Sequence, residues 1–347
     1  MSIDCVVKLE RCVSNAVAGE VADVASADAI VFRTSKIPFG VPPRLWNRAV
    51  VGPVANTLSN PGKRVRATVL DCSYLIAGGH SHAPQVLLDA IEVLHAGSLI
   101  IDDIEDGSLF RRERPALHRS IGMPLAINTG NWMYFYAMQQ LANLPLCAVT
   151  QNAILLKTAS VVRECHEGQA LDLSVQIAEL QSFEVLSIVS AISRMKTGGL
   201  LSLAAWLGGV AAESPSELLG TLEEFGMQVG IGLQMLNDLN ALKECEGAFT
   251  NCDDLRNGRA TWAWAWLSEL VPAKQFHAIA ANSRIEPSES TFPAIATDLG
   301  QRVRETGLAA VHETIWNAFG SLHTAVGSSS ALSRLEEMLN RLEQKYA

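Results

Sequence analysis

Three aspartates in the order DDxxD are the residues whose types and spacing most directly suggest chemistry. Asp102, Asp103 and Asp106 follow the apolar segment Leu99-Ile100-Ile101. On a helix, Asp102 and Asp106 lie one turn apart on the same face. Their charges repel unless a cation is nearby, and hard divalent cations such as Mg²⁺ take carboxylate and phosphate oxygens. The pattern favours a metal and phosphate site over a solvated acidic helix face.

Basic residues lie on both sides of these acids in the sequence. Arg111 and Arg112 follow them, and Lys63-Arg64-Val65-Arg66 comes earlier, just after the turn at Pro61-Gly62. A guanidinium group binds phosphate oxygens through two parallel hydrogen bonds. Each basic group alone is equally typical of a solvated surface. Together with the acids, they favour a protein that binds metal and diphosphate together.

The composition restricts the class of protein further. The chain has 347 residues, 48% apolar and 18% charged, with a net charge of 27 − 36 = −9. The apolar content excludes intrinsic disorder, and the negative charge argues against a non-specific nucleic-acid binder. The most apolar segment, residues 198–212, is shorter than the roughly 20 residues that span a bilayer. It predicts a buried helix, and we expect no transmembrane segment.

The cysteines and the N-terminus bear on the compartment. The seven cysteines are an odd number without a CxxC pair, which predicts reduced thiols and neither a disulfide framework nor a zinc site. The N-terminus lacks the basic-then-apolar layout of a signal peptide. These features predict a cytoplasmic protein.

The hydrophobic pattern predicts an all-α fold. Apolar residues recur three and four positions apart through most of the chain, with Gly, Pro or Asn between the runs. We interpret residues 1–40 as a variable N-terminal arm and residues 41–347 as a single-domain helical bundle. A stripe of Leu332, Leu335, Leu339 and Leu342 predicts an amphipathic last helix, and residues 282–290 are a candidate loop.

Over about residues 52–266 the sequence resembles the trans-type isoprenyl diphosphate synthases, most closely the eukaryotic geranylgeranyl diphosphate synthases. The resemblance begins with the acidic and basic groups above. It continues through further motifs in the same order: His95, Pro115, His118, Glu167-Gly168-Gln169, Asp172, Lys196-Thr197-Gly198-Gly199, Gln234 and Asp254-Leu255-Arg256-Asn257-Gly258-Arg259.

The resemblance implies a helical bundle of the isoprenoid synthase type with a central active-site cavity, and a homodimer. It implies a Mg²⁺-dependent prenyltransferase that ionises an allylic prenyl diphosphate (C15–C20). The chain would be transferred to a phosphate-bearing acceptor, with isopentenyl diphosphate the first choice.

The resemblance also implies roles for single residues. Asp102 and Asp106 would bind Mg²⁺ with support from Asp103, and Lys196 and Asp238 join these acids as expected catalytic residues. The residues expected to bind the allylic substrate are Arg111, Lys196, Thr197 and Gln234. Those expected to bind the diphosphate of the second substrate are Lys63, Arg66, His95 and Arg112. Asn237 and Arg259 are also expected to bind substrate.

The family's second acidic motif is degenerate here. Where DDxxD or DDxxN is expected, the sequence reads Asn237-Asp238-Leu239-Asn240-Ala241. We expect Asn237 and Asp238 to be metal ligands of reduced affinity, because one negative charge is lost. A substitute set of Asn237, Asn240 and Glu244 on one helix face is the alternative. Later in the chain, Arg259 replaces the family's Lys and keeps its charge.

Other functions remain open on the same scaffold. A geranylgeranyl chain could go to indole-3-glycerol phosphate, as in indole-diterpene biosynthesis, using the same bases. A terpene cyclase is disfavoured because its Asn/Ser/Glu set would need a hydroxyl at 241 and Glu at 245, where this chain has Ala241 and Cys245. A non-catalytic regulatory subunit is disfavoured by the intact first motif.

Two expectations concern apolar regions. Gly97 and Ser98 precede the acidic motif and carry no aromatic ring, so we expect a C15–C20 tail to pass beside them. Trp262, Trp264 and Trp266 are expected to be core or interface residues.

Overall fold

The protein is described by a computed structural model. Almost all regular structure in the described residues is helical, and the strands form a single short antiparallel ribbon in which Phe110 pairs with Pro115. The predicted all-α fold is confirmed. The N-terminal arm up to residue 36, Pro61 of the basic motif and residues 283–290 of the predicted loop lie outside the described residues. The structure describes residues 37–60, 62–112, 114–247, 252–282 and 291–346.

Contacts divide the chain into two compact units. The first contains the described residues up to Ala159 together with Ala204–Pro215, and the second contains Ser160–Leu203 and the described residues from Ser216 onward. The prediction that residues 41–347 form one domain stays a prediction. Each unit is described by itself.

The first unit consists of helices whose buried residues recur every three or four positions. The longest helix that lies wholly within it buries Leu87, Ile91 and Leu94 on one face, as an amphipathic pattern predicts. In chain order the elements are α1 (Pro43–Trp46), a π-helical turn (Asn47–Val51), α2 (Gly52–Leu58), α3 (Val65–Ile76), α4 (Gln85–Glu105), β1 (Phe110–Arg111), β2 (Arg114–Pro115), α5 (Leu117–Ile121), α6 (Met123–Ala142) and the first part of α7 (Ala148–Ser174).

Helices α4 and α6 pack closely at two glycines. A Cβ atom on Gly97 would lie 3.0 Å from the carbonyl oxygen of Gly130 and 3.0 Å from Cβ of Met133. Gly97 itself is buried. The small residue is therefore used for helix packing, since a side chain there would push α6 away. Helix α6 therefore fills the space at Gly97 where a prenyl tail was expected, whereas passage of a tail beside Ser98 stays a prediction.

The second unit is built on two long helices, α10 (Ser216–Gly247) and α14 (Thr291–Val326), which pack along each other. Helix α10 buries apolar residues along most of its length, so it is covered by neighbouring elements. The other elements are the end of α7, a 3₁₀ turn (Ile177–Glu179), α8 (Ser182–Ser193), a π-helical turn (Arg194–Gly198), α9 (Gly199–Ala211, which ends in the first unit), α11 (Asp253–Arg256), α12 (Trp262–Leu270), α13 (Ala273–Asn282) and α15 (Ser330–Tyr346).

Several sequence predictions about the core are confirmed. The apolar segment 198–212 contains the helix α9, with Leu201, Leu203 and Ala204 fully buried. The four-leucine stripe of α15 is buried. All three tryptophans of α12 are also buried and belong to the core. In the part of the chain that the structure describes, no helix combines the length and apolar character needed to cross a bilayer.

The prediction of uniformly reduced cysteines is wrong. Cys245 and Cys252 form a disulfide, with their Cα atoms 4.7 Å apart. The sequence did not suggest the pair because the spacing of seven matches no common motif. Cys252 lies beside the last turn of α10, which places the two thiols within bonding range. The expected cytoplasmic location therefore loses its support from reduced thiols.

Glycines also allow α10 to contact the π-helical turn that carries Lys196 and Thr197. A Cβ atom on Gly230 would lie 2.6 Å from Cα of Gly198 and 2.7 Å from the carbonyl oxygen of Thr197. Both neighbours are backbone atoms, which cannot rotate away as the tip of a side chain can. The contact therefore fixes the backbone of the turn against the helix.

We expect Gly230→Ala to destabilise the protein by about 1–3 kcal/mol, because the added methyl overlaps backbone atoms. Gly220→Ala on the same helix is the matched control, since no atom lies within 4 Å of its added Cβ. That control should be neutral or stabilising by up to about 1 kcal/mol. Urea unfolding of both variants measures the difference, and equal stabilities would contradict the proposed contact.

Candidate active site

The acidic motif lies where helix α4 ends. Gly107 has a positive φ of 67°, a conformation that suits glycine. The amide of Gly107 donates to the carbonyl of Ile104 (3.3 Å), and that of Ser108 donates to the carbonyl of Asp103 (2.9 Å). This is the Schellman arrangement that closes a helix C-terminus. The helix therefore stops within the motif and places Asp102, Asp103 and Asp106 in its last turn.

Arg111 balances the charge of these aspartates. The helix C-terminus carries partial negative charge, which disfavours carboxylates there. Nε of Arg111 donates to Oδ1 of Asp103 at 2.8 Å, and Nη2 of Arg111 contacts the same oxygen. Nη2 also lies 3.8 Å from Oδ2 of Asp102. The strands β1 and β2 form the ribbon that places Arg111 beside the end of α4.

The pKa values of this pair reflect burial and opposite charge. Burial raises the pKa of Asp103, although the hydrogen bonds and charge of Arg111 act in the opposite direction. Burial would lower the pKa of Arg111, but hydrogen bonding to Asp103 and the charges of Asp102 and Asp106 raise it overall. Asp103 is thus paired with Arg111. The side chain of Asp102 is 29% exposed and remains accessible to a ligand.

Arg112 occupies the surface next to Gly62. Its Nη1 donates to the carbonyl of Asn60, and Nδ2 of Asn60 lies 3.5 Å from the carbonyl of Arg112. A Cβ atom on Gly62 would lie 2.8 Å from Cζ of Arg112. The glycine of the basic motif therefore leaves room for the guanidinium. Lys63 follows as an exposed side chain.

His95 lies among three arginines of the first unit. Burial, followed by the charges of Arg66, Arg112 and Arg111, lowers the pKa of His95 well below 6.5. The imidazole is therefore neutral at pH 7 and offers one donor and one acceptor. We call the following residues the first cluster: Arg66, His95, Asp102, Asp103, Asp106, Arg111 and Arg112.

A second group of predicted residues meets within the second unit. Nζ of Lys196 donates to Oδ2 of Asp172 at 2.6 Å, and Nη1 of buried Arg259 donates to the carbonyl of Asp172 at 2.9 Å. Asp172 thus brings together two basic residues that the sequence assigned to substrate. Lys196 stands on the π-helical turn, a feature often found at functional sites.

The same unit contains a chain of hydrogen bonds around Gln234. Oγ1 of Thr197 donates to Oε1 of Gln234 at 2.7 Å, and Nε2 of Gln234 donates to Oδ1 of Asp238 at 2.8 Å. Oδ2 of Asp238 accepts from the backbone amide of Trp262 at 2.8 Å. The indole of Trp262 in turn donates to Ser193 at 2.8 Å. We call Asp172, Lys196, Thr197, Gln234, Asp238 and Arg259 the second cluster.

The degenerate motif has one buried acid. Asp238 is 6% exposed, and burial, followed by the nearby charge of Asp254, raises its pKa to about 8. Asn237 is exposed, and Nδ2 of Asn240 donates to Oε1 of Glu244 at 2.6 Å. The predicted ligands Asn237 and Asp238 therefore differ sharply in their surroundings.

The first cluster fits a divalent cation that arrives with a phosphate. Across the described ranges, no three His, Cys, Asp or Glu side chains converge into a ready-made metal cage. Mg²⁺ usually takes only one or two carboxylates and completes its shell with water and substrate phosphates. Asp102 and Asp106, one turn apart on an unfavourable helix end, supply such a pair. The assignments of these and the other site residues stay predictions.

Comparison with known proteins decides the family. The polyprenyl synthetase family profile matches residues 47–291. The chain belongs to the polyprenyl synthetase family. The match includes both clusters and the ribbon between them in sequence.

Individual relatives agree with this family. Geranylgeranyl pyrophosphate synthase D of Phomopsis amygdali is 31% identical over 217 residues, or 61% of this chain and 49% of that protein. Geranylgeranyl pyrophosphate synthase 2 of Zymoseptoria tritici is 31% identical over 61% of this chain and 62% of that protein. The matches therefore span about half to three fifths of these two curated relatives.

The fold has relatives among solved structures. A polyprenyl synthase from Caulobacter crescentus, crystallised with calcium and isoprenyl diphosphate, superposes with a TM-score of 0.75 at 19% identity. The match covers 100% of this chain and 98% of that chain. At this identity, the likeness shows that the two chains share the same fold.

Sequence reasoning missed the part played by Asp172. The residue was one of the motifs that carry the resemblance, but it received no role. In the structure it binds Lys196 through its carboxylate and Arg259 through its backbone. The available signal was its place in the order of the motifs, three residues after Glu167-Gly168-Gln169. A pairing with residues 24 and 87 positions away could not be read from spacing.

His95→Gln should reduce the loss of stability on acidification. Because the folded protein holds the pKa of His95 below 6.5, the unfolded chain binds the proton more readily as the pH falls through about 6.5, and the unfolding free energy decreases. Urea unfolding at pH 7.5 and 5.5 measures this decrease. His80→Gln, which removes an exposed histidine, should leave it unchanged. An equal decrease in wild type and His95→Gln would contradict the prediction.

Proposed function

We propose that this protein is a prenyltransferase dependent on a divalent metal, with Mg²⁺ the physiological ion. It ionises an allylic prenyl diphosphate and couples the prenyl chain to isopentenyl diphosphate, as a geranylgeranyl diphosphate synthase does. The observation that carries this proposal is the first cluster, in which Asp102 and Asp106 lie beside Arg111 at the end of α4.

The first cluster has the charges that a diphosphate leaving group needs. Breaking the C1–O bond of an allylic diphosphate leaves a carbocation and transfers the bonding electrons to the diphosphate. Asp102 and Asp106 would hold Mg²⁺, which would supply Lewis-acid stabilisation of that charge. Arg111, oriented by Asp103, donates hydrogen bonds to the diphosphate oxygens. Such pre-oriented donors stabilise developing charge without reorganisation.

The remaining basic residues of this cluster suit the second diphosphate. Arg112 and Arg66 are positively charged, and His95 is neutral because its pKa is lowered. A neutral imidazole donates a hydrogen bond without adding repulsion among the arginines. The double bond of the acceptor attacks the carbocation, and a proton is then lost to the released diphosphate.

The comparisons support elongation with isopentenyl diphosphate over the alternatives. The two fungal relatives are named geranylgeranyl pyrophosphate synthases, and the C. crescentus enzyme was crystallised with calcium and isoprenyl diphosphate. They support a divalent metal and a prenyl diphosphate substrate. None of these three names mentions indole-3-glycerol phosphate, a cyclase or a regulatory subunit. The C20 product stays part of the proposal.

Asp102→Asn and Asp106→Asn should each lower turnover by about 100-fold or more, because each removes a negative charge from the proposed metal site. Radiolabelled product formation from farnesyl diphosphate and isopentenyl diphosphate with Mg²⁺ measures turnover. Glu105→Gln is the matched control, since this exposed acid lies on the same helix turn, and it should retain turnover. Full activity of Asp102→Asn would contradict the metal site.

A panel of acceptors separates the reactions. The wild-type protein is incubated with Mg²⁺ and farnesyl or geranylgeranyl diphosphate, alone, with isopentenyl diphosphate or with indole-3-glycerol phosphate. Elongated product only with isopentenyl diphosphate is the expected result. Product without an acceptor would identify a cyclase, product only with the indole would identify an indole prenyltransferase, and no turnover would favour a regulatory subunit.

We also propose that the protein is a homodimer through exposed apolar side chains of the first unit. Phe135 and Met123 on α6 are 76% and 52% exposed, and Leu156 on α7 is 64% exposed. Exposed apolar residues that form a contiguous patch mark an interaction surface, and these three lie on helices that are consecutive in the sequence. A second copy of the chain is the occupant that the family resemblance implies.

Phe135→Glu should convert a dimer into a monomer, because a charge at an apolar interface is left without a partner. Light scattering after size-exclusion chromatography gives the mass of each species. Phe183→Glu, at a residue of the second unit that is 81% exposed, is the control and should leave the mass unchanged. A monomeric wild-type protein would contradict the dimer.

A further inference from the structure

Both carboxylate oxygens of Asp238 are already engaged by protein donors. Oδ1 accepts from the amide of Gln234, and Oδ2 accepts from the backbone amide of Trp262, each at 2.8 Å. The side chain lies in a buried environment, with 6% of the residue exposed. A ligand position for a hydrated divalent cation needs an accessible oxygen. Asp238 is poorly suited to that requirement, because each of its oxygens already accepts a protein hydrogen bond and little of the residue is exposed.

The other positions of the degenerate motif offer little in its place. Asn237 is exposed and carries no charge, and Ala241 carries no ligand atom. Nδ2 of Asn240 donates to Oε1 of Glu244 at 2.6 Å. These two residues of the proposed substitute set are therefore hydrogen-bonded to each other. In the first cluster, by contrast, the carboxylates of Asp102 and Asp106 lie one turn apart at the end of α4.

We infer that the segment Asn237–Ala241 no longer binds metal and that Asp238 is a positioning residue, which holds Gln234 and the first amide of helix α12 by two hydrogen bonds. This inference rests on the proposed function, because it concerns how that reaction uses metal. The metal dependence of the protein then resides in carboxylates outside this segment.

Asp238 fixes the orientation of Gln234. The amide nitrogen of Gln234 faces Asp238, so its oxygen faces Thr197 and accepts the hydroxyl hydrogen at 2.7 Å. Asp238 also connects α10 to the first turn of α12, where Trp262 reaches Ser193. A residue that the family pattern assigns to metal is thus used here to hold neighbouring side chains and backbone in place.

Direct metal binding tests the inference on the full-length protein. Free Mn²⁺ is titrated by electron paramagnetic resonance with wild type, Asp238→Asn and Asn237→Ala, in the absence and presence of inorganic diphosphate and with protein-free blanks. We expect both variants to bind the same number of Mn²⁺ ions as wild type, with affinities within about twofold. Loss of one ion, or a tenfold weaker affinity, in either variant would overturn the inference.

The positioning role predicts a different response in stability. Asp238→Ala removes both acceptors and should lower Tm by roughly 3–8 °C. Asp238→Asn should have a Tm close to that of the wild type. Its oxygen can accept from Trp262 while its amide donates to a flipped Gln234, because the Thr197 hydroxyl can accept as well as donate. An Asp238→Ala variant as stable as wild type would overturn the role.

Asp102→Asn separates this inference from the proposed function. The proposed function predicts that this variant loses Mn²⁺ affinity, and the inference predicts that Asp238→Asn keeps it. If Asp102→Asn binds Mn²⁺ as wild type does, the metal site of the proposed function is wrong. The role of Asp238 is then still tested by the Tm values of Asp238→Ala and Asp238→Asn.

Discussion

The structure of the first unit depends on an electrostatic conflict at the end of α4. Gly107 stops the helix within its acidic motif, so three aspartates meet the partially negative helix terminus. Arg111 relieves part of this conflict by binding Asp103 and approaching Asp102. Asp102 and Asp106 retain exposed surface, and a divalent cation with a diphosphate would complete the charge balance. The ribbon places Arg111 beside these aspartates, and Gly62 leaves room for the guanidinium of Arg112.

The second unit contains polar side chains that are buried among apolar residues. Buried polar groups must be hydrogen-bonded, and the chain from Thr197 through Gln234 and Asp238 to Trp262 meets that demand. Close packing at Gly230 supports it by fixing the π-helical turn against α10. In our proposal Asp238 holds this chain of hydrogen bonds in place and does not bind metal.

Local patterns in the sequence predicted much of the fold and the membership of the clusters. The leucine stripe of α15 and the apolar segment 198–212 follow from periodicity alone, and the predicted residues that make up the two clusters lie together in their units. Tertiary contacts could not be predicted in this way. Gly97 faces α6 instead of a tail, Cys245 bonds Cys252, and Asp238 points into the core, because each depends on which distant backbone lies opposite.

The most direct test of the acidic cluster is the binding of inorganic diphosphate by isothermal titration calorimetry, with Mg²⁺ and with EDTA. If Asp102 and Asp106 hold the cation that carries the diphosphate, affinity should fall at least about tenfold, or 1.4 kcal/mol, when the metal is removed. Equal affinity in Mg²⁺ and EDTA would show that the arginines bind diphosphate alone and would contradict the proposed role of the aspartates.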